Sequence, residues 1–321
     1  MTTRWVLGID VGGSGSRMQL AAERGALGLS DSGAVITGTR VQIGAEGSSI
    51  RSVVAALLQQ AAQEWPLEFA ELAGIGVGST GLATLVADPH ALHDELAALC
   101  AGVPLALATD AVTAHLGALG GQPGAVIAVG TGAIALGTDF EDRWQRVDGW
   151  GHLLGDRGAG AWIGMEALRE AARQHDGVAR GSETLLAAAV AQFGEPQTWP
   201  AQVYTRPDRA AVLASFAPEV GRLAAADDAA ATRILQNAGR EVAHSLAAAL
   251  RGGLTQVAST SGGVFAAGGV FVAAFEAEFA RLAPGAQLRA PLGTPLDGAV
   301  ELARRVATPG VLRARVPYLW L

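Results

Sequence analysis

Twice in this chain a short apolar run meets a glycine turn and resumes as a second strand-like run. Trp5 to Asp10 is broken by Gly12, Gly13 and Gly15 before Arg17 to Ala22; Ala125 to Val129 is broken by Gly130-Thr131-Gly132 before Ala133 to Thr138. Short apolar, strand-like runs joined by glycine read as β-hairpins. Hairpins at corresponding places in the two halves predict a duplicated α/β architecture. At 321 residues the chain exceeds one ordinary domain. The expected division is residues 1–112, with the C-terminal segment 298–321 packing back on them, and residues 113–297.

The spacing between the hairpins predicts alternating elements. Ile50 to Gln63 has helical periodicity, and Leu72 to Val77 and Leu105 to Ala108 read as strands. Pro89 to Ala101 reads as a helix capped by Asp88. His90 and His93 are expected to be solvated on it. In the second half, a loop from Asp148 to Gly160 leads into a helix from Ala161 to Gln174, and Ala229 to Arg251 is helical. The apolar stretch Val264 to Ala267 runs into Gly268-Gly269 and a helix, and Pro295 to Val306 forms the last long helix.

Every one of the 23 basic residues is Arg, which removes a Walker lysine and a Schiff-base lysine together. Phosphate must therefore be held by backbone N–H groups and hydroxyls. Gly12, Gly13, Ser14, Ser16 and Arg17 in the first turn, and Gly130, Thr131 and Gly132 in the second, supply such groups. A Rossmann turn fits less well, because Met18 stands where a third glycine is needed. Asp10 precedes the first turn, and a carboxylate beside phosphate requires a cation between them. Asp10 is therefore the expected metal-side residue, with Mg²⁺ as cofactor. Thr109 and Asp110 end a strand, at the rim where open α/β sheets carry their chemistry. Ser79, Thr80 and Gly81 end another.

The net charge of −7 disfavours nucleic acid. No apolar run reaches transmembrane length, and the start of the chain shows no signal-peptide core, so a cytoplasmic protein without a membrane partner is expected. Cys100 is the single cysteine, which excludes an intramolecular disulfide and a cysteine-ligated cluster; it is read as a buried helical thiol. Oligomeric state is not legible, and a homodimer is compatible with the sequence.

Four segments in order resemble the actin-like ATPase superfamily of sugar kinases, chaperones and actin. They are Asp10 to Arg17, Ala108-Thr109-Asp110-Ala111, Gly130-Thr131-Gly132 and Ala266-Ala267-Gly268-Gly269. The loop Gly149-Trp150-Gly151-His152, with Gly155-Asp156 and Gly158, resembles the N-acetylglucosamine kinase and BadF/BadG-type ATPase branch. The resemblance implies two actin-like (ribonuclease H-like) domains with an ATP and sugar cleft between them. It also implies that Gly268 and Gly269 contact adenosine, that Asp110 accepts the proton of the attacking sugar hydroxyl, and that Asp156 contacts the sugar. Ser79, Thr80, Gly81, Thr109, Asp148 and Gly149 complete the expected sugar contacts.

His152 is expected to fix the glycine-rich loop by hydrogen bonding. Trp150 is read as a packing anchor or a wall for the sugar, and Arg157 as a phosphate or sugar contact or an exposed loop residue. Iron–sulfur activators of this branch need cysteine ligands that are lacking here, and the zinc-containing glucokinase and repressor group needs a cysteine-rich motif or an N-terminal DNA-binding helix pair. A nucleotide-driven chaperone or regulatory ATPase is the alternative of another class.

Relatives carry a Thr-Asn pair where this chain has Thr39-Arg40, and Cys-Gly where it has Val147-Asp148. A carboxylate at position 148 facing the sugar would favour an amine over an acetamide. Glucosamine, phosphorylated to glucosamine 6-phosphate, is therefore the expected substrate, with N-acetylglucosamine as the alternative.

Overall fold

The computed structural model describes residues 4–13, 15–23, 34–41, 43–44, 47–178, 181–266 and 268–321. Two units account for them. One comprises Met1–Gln122 and Ala290–Leu321, the other Pro123–Arg289.

In the first unit, the glycine turn folds Trp5–Gly12 antiparallel onto Gly15–Ala22, and Val35–Gly38 continues the meander. Leu72–Ser79 and Leu105–Thr109 then add in parallel on the other side, and Leu319–Trp320 closes that edge. Alternation along Trp5–Gly12 separates two faces. Leu7, Ile9 and Val11 join the core formed with Val53, Val54 and Leu57 of the helix Ile50–Glu64. Val6, Gly8 and Asp10 take the opposite face, where Val6 meets Val300 and Ala303 of the last helix, Pro295–Ala307.

That helix lies unusually close to the sheet because three positions beneath it, Gly8, Gly74 and Gly76, have no side chain. A Cβ on Gly8 would stand 2.5 Å from the Val300 backbone nitrogen, one on Gly74 2.5 Å from the Ala303 carbonyl, and one on Gly76 2.3 Å from the Ala299 carbonyl. The helix Asp110–Leu119 is held in the same way: Gly117 abuts the Thr294 carbonyl, Gly298 abuts the Thr113 carbonyl, and Gly78 abuts the Thr113 hydroxyl. Both helices therefore belong wholly to the first unit, and its limits fall at 122 and 290 rather than the expected 112 and 298.

The second unit repeats the strand order of the first. Gly124–Val129 pairs antiparallel with Ala133–Thr138, Trp144–Asp148 extends that edge, and Val257–Ser261 and Gln287–Arg289 add in parallel on the other. The duplication expected from the two glycine turns is thus present as topology. Helices Gly160–His175 and Ala229–Ala249 bury Ala161, Ile163, Val242 and Leu246 against Ile127, Val129 and Ala135. The helix Gly269–Leu282 adds Phe271 and Phe275.

The helix Pro89–Leu99 starts as expected, with the Asp88 carboxylate accepting from the Ala91 N–H at 3.0 Å. His93 departs from expectation. It is buried, with Nε2 3.2 Å from the Leu105 carbonyl, because the helix turns that face onto the sheet. His90 is exposed and lies edge-on to Trp320. Cys100 is buried just beyond the helix end, where burial pushes its thiol up to about 11. No helix among the described residues is long and apolar enough to cross a membrane.

Substituting Gly76 with Ala should force the last helix off the sheet. Overpacking costs about 1–3 kcal/mol, so the unfolding temperature of Gly76→Ala should fall by roughly 2–10 °C. Gly285→Ala, whose Cβ would meet nothing within 4 Å, should stay near wild type in the same thermal scan.

Candidate functional site

In the first unit the candidate residues gather at the C-terminal ends of the parallel strands. Asp10 pairs in register with Gly78, and Gly78 with Ala108. Two strand spacings, roughly 10 Å, thus separate Asp10 from the strand that delivers Asp110. Burial raises the Asp10 carboxyl above its ordinary range, and the Arg17 guanidinium only partly offsets this. Arg17 is the cross-strand neighbour of Asp10 and is exposed. Such a carboxylate is short of positive charge, which suits a cation on its solvent side.

The turn after Asp10 is open at Gly13, where a Cβ would meet nothing within 4 Å. Ser14 lies outside the described residues. Ser16 is buried, and its hydroxyl donates to the Thr39 carbonyl at 2.7 Å. The sequence reading of Ser16 as a phosphate contact therefore does not extend to its side chain, which ties the hairpin to the following loop. Ser79 is fully buried, and Thr80 N–H donates to the Val11 carbonyl at 3.0 Å. Gly81 adopts φ +69° and opens the helical turn Leu82–Leu85, so this segment turns sharply at the rim. Thr109 is buried, and its hydroxyl has no hydrogen-bond partner among the described residues. Thr109, rather than Asp110, takes the N-cap position. Asp110 is the first helical residue, where its negative charge suits the positive end of the helix dipole. Its carbonyl accepts from the Thr113 hydroxyl at 3.1 Å.

In the second unit, Gly130-Thr131-Gly132 sits against the start of the helix Gly160–His175. Gly160 N–H donates to the Gly130 carbonyl at 2.9 Å and Ala161 N–H to the Thr131 carbonyl at 3.1 Å. A Cβ on Gly130 would touch nothing, whereas one on Gly132 would stand 2.5 Å from an Asp156 carboxylate oxygen. The expected sugar residue thus lies directly against the second glycine turn. Gly262, at φ +102°, packs on the Val129 carbonyl, which keeps the strand ends at 129 and 261 side by side. Gly268 and Gly269 open the helix Gly269–Leu282 with free space around both.

The glycine-rich loop hangs from the end of Trp144–Asp148. Asp148 closes that strand, at φ +63°. Its Oδ1 accepts from Asp156 N–H at 2.7 Å, and its Oδ2 accepts from Arg157 N–H at 3.0 Å. Arg146 donates to the Gly149 carbonyl at 2.5 Å and stacks over Trp150 at 4.8 Å. Asp156 is itself left-handed, at φ +53°, and only 8% exposed. It accepts from Gly151 N–H at 3.1 Å. Burial first, and the neighbouring Asp148 charge second, push its carboxyl up to about 6.

Several expectations change here. Asp148 spends both oxygens on loop N–H groups, which removes the geometric reason for reading it as the partner of a sugar ammonium. His152 does not fix the loop through Nε2, which is buried without a partner among the described residues. Trp150 is 64% exposed, so it is not a packing anchor. Arg157 is paired with Glu241 through bonds of 2.8 and 2.6 Å, which holds it to a neighbouring helix. The clamp made by Asp148 was not legible beforehand, because nothing in the spacing of Asp148 and Asp156 announces that one accepts from the other's backbone.

Among the described residues no three or more His, Cys, Asp or Glu side chains gather as a metal cage. A magnesium ion carried by nucleotide phosphates needs only one or two carboxylates and water, so Asp10 is a donor of the right kind.

The raised Asp156 carboxyl has a sign that can be tested. Its value in the folded protein, about 6, lies above the ordinary 3.8. The folded state therefore holds this proton more tightly than the unfolded chain does, and the stabilisation is present at low pH and lost as pH rises through about 6. In denaturant titrations, wild type should gain about 1–3 kcal/mol on Asp156→Asn between pH 7.5 and pH 4. A difference that stays flat across this range would contradict the assignment.

The BadF/BadG/BcrA/BcrD ATPase family matches residues 7–303. The N-acetylmuramic acid/N-acetylglucosamine kinase of Clostridium acetobutylicum is 27% identical over 190 residues, 59% of this chain and 60% of that protein. The N-acetyl-D-glucosamine kinase of Dictyostelium discoideum is 44% identical over 78 residues, 24% of each chain. The alignments thus span less than two thirds of these two relatives. A structure from Chromobacterium violaceum, provisionally named an N-acetylglucosamine kinase, superposes with a TM-score of 0.68 at 26% identity. It covers 94% of this chain and 99% of that one. A Streptomyces griseus ROK family glucokinase bound to glucose and AMPPNP shares the fold, with a TM-score of 0.60 at 17% identity over 93% and 98% of the two chains.

Proposed function

The chain belongs to the BadF/BadG/BcrA/BcrD ATPase family, and we propose that it transfers the γ-phosphoryl group of ATP to a hydroxyl of an N-acetylated amino sugar. The observation that carries this reading is the placement of Asp110. It is a carboxylate at the first position of a helix, on the rim that also presents Asp10 and the open Gly13 turn.

Phosphoryl transfer asks a protein for positioning, charge neutralisation and a proton acceptor. The glycine turns at Gly12-Gly13 and Gly130-Thr131-Gly132 offer backbone N–H groups to the phosphates, which compensates for the absence of lysine. Asp10 would hold Mg²⁺, which would neutralise phosphate charge. Asp110 takes the proton of the attacking hydroxyl, and Asp156 is read as a sugar contact. Gly268 and Gly269 open a helix, and a Cβ on either would meet nothing within 4 Å, which leaves room for an adenosine.

The acetamide is preferred to the amine for a physical reason. An ammonium at C2 would be favoured by an uncommitted carboxylate, and Asp148, the candidate, already satisfies two backbone donors. The names of the Clostridium and Dictyostelium relatives support the same choice. The earlier expectation of glucosamine therefore gives way to N-acetylglucosamine.

Coupled ADP detection with N-acetylglucosamine, glucosamine and glucose tests this. Turnover should be highest with N-acetylglucosamine; ATP hydrolysis indifferent to every sugar would overturn the reading. Asp110→Asn should fold and lose about 10²–10⁴-fold in sugar-dependent turnover. Asp10→Ala should raise the Mg²⁺ concentration needed for half-maximal rate, and an unchanged requirement would remove Asp10 from the metal.

A further inference from the structure

The loop from Gly149 to Arg157 carries Asp156, yet few of its side chains anchor it. Trp150, Leu153 and Leu154 are 64, 70 and 85% exposed, and His152 Nε2 is without a partner among the described residues. Arg146 holds its beginning through the Gly149 carbonyl. Its end returns to Asp148, whose two carboxylate oxygens accept from the consecutive amides of Asp156 and Arg157. Asp156 then rests against Gly132, where no side chain would fit.

We infer that Asp148 is a positioning residue for sugar binding: by clamping two consecutive backbone amides it holds the Asp156 carboxylate against the second glycine turn. The inference rests on the proposed reading of Asp156 as a sugar contact and extends it to a residue that need not touch the sugar. A carboxylate suits this work because it accepts on both oxygens, and charge-assisted bonds to N–H groups are stronger than neutral ones. An amide in its place would turn a donor towards one of the two N–H groups. The clamp has an electrostatic consequence as well. The charged groups acting on Asp156 are Asp148, which raises its carboxyl, and Arg146, which lowers it. Removing Asp148 leaves Arg146 alone.

Asp148→Gly is the informative variant, since glycine accepts a φ of +63° without strain and the strand end can keep its path. The sugar KM should rise roughly 10- to 100-fold, equally for N-acetylglucosamine and glucosamine, while the KM for ATP stays near wild type. The acidic limb of sugar kcat/KM should move to lower pH. Hydrogen exchange at the Asp156 and Arg157 amides should accelerate at least about tenfold. Asp148→Asn, keeping one acceptor, should fall between the two. A loss confined to glucosamine would overturn the inference in favour of direct contact with an amine, and unchanged exchange with an unchanged sugar KM would overturn it outright. If wild type phosphorylates no sugar, the proposed function fails, and the exchange measurement alone still decides whether the clamp exists.

Discussion

The close approach of the last helix to the first sheet sets the geometry on which the candidate site depends. Gly8, Gly74 and Gly76 carry no side chain to hold Pro295–Ala307 at an ordinary distance, so at these positions helix backbone lies almost on strand backbone. The same helix receives Asp110–Leu119 through the Gly117 and Gly298 contacts. A segment nearly two hundred residues distant in sequence thus fixes the helix that begins with Asp110. Interiors at this packing density transmit displacement rather than absorb it, so a change at Gly76 bears on the catalytic candidate without touching it.

Electrostatics divides the labour between the carboxylates. Asp10 is half-buried with an exposed arginine opposite, an arrangement that suits a cation arriving with a nucleotide. Asp156 is buried beside another carboxylate and titrates near 6, so its charge is held at a cost that hydrogen bonds from loop N–H groups only partly offset. A neutral sugar hydroxyl donating to it would relieve that cost without adding charge. Asp110 differs from both, standing at a helix N-terminus where a negative charge is welcome. Three acids therefore meet three different environments, which suits them to the three separate roles proposed for them.

Much of the fold was legible because its signals are local. A strand, a glycine turn and a second strand identify each hairpin, and Asp88-Pro89 marks a helix start whatever packs against it. What escaped depends on tertiary contact. Val257–Ser261, with the sequence VASTS, gives little apolar signal, yet it is a strand paired on both sides whose Ser259 hydroxyl donates to the Arg289 carbonyl. His93 looked solvated because a helix sequence does not say which face meets the sheet. Asp110 was found from its place at a strand end as well as through motif resemblance, Asp156 through resemblance alone, and the structure gave them surroundings. Asp148 was singled out correctly as an unusual carboxylate, but its partners are backbone N–H groups eight and nine residues on, which no side-chain pattern records.

The central claim, phosphoryl transfer from ATP to an N-acetylated amino sugar, is tested most directly by mass spectrometry of the sugar after incubation with enzyme, Mg²⁺ and ATP. The account predicts that N-acetylglucosamine gains one phosphoryl group in step with ADP formation, and does so faster than glucosamine. ATP consumed while every sugar stays unmodified would contradict it.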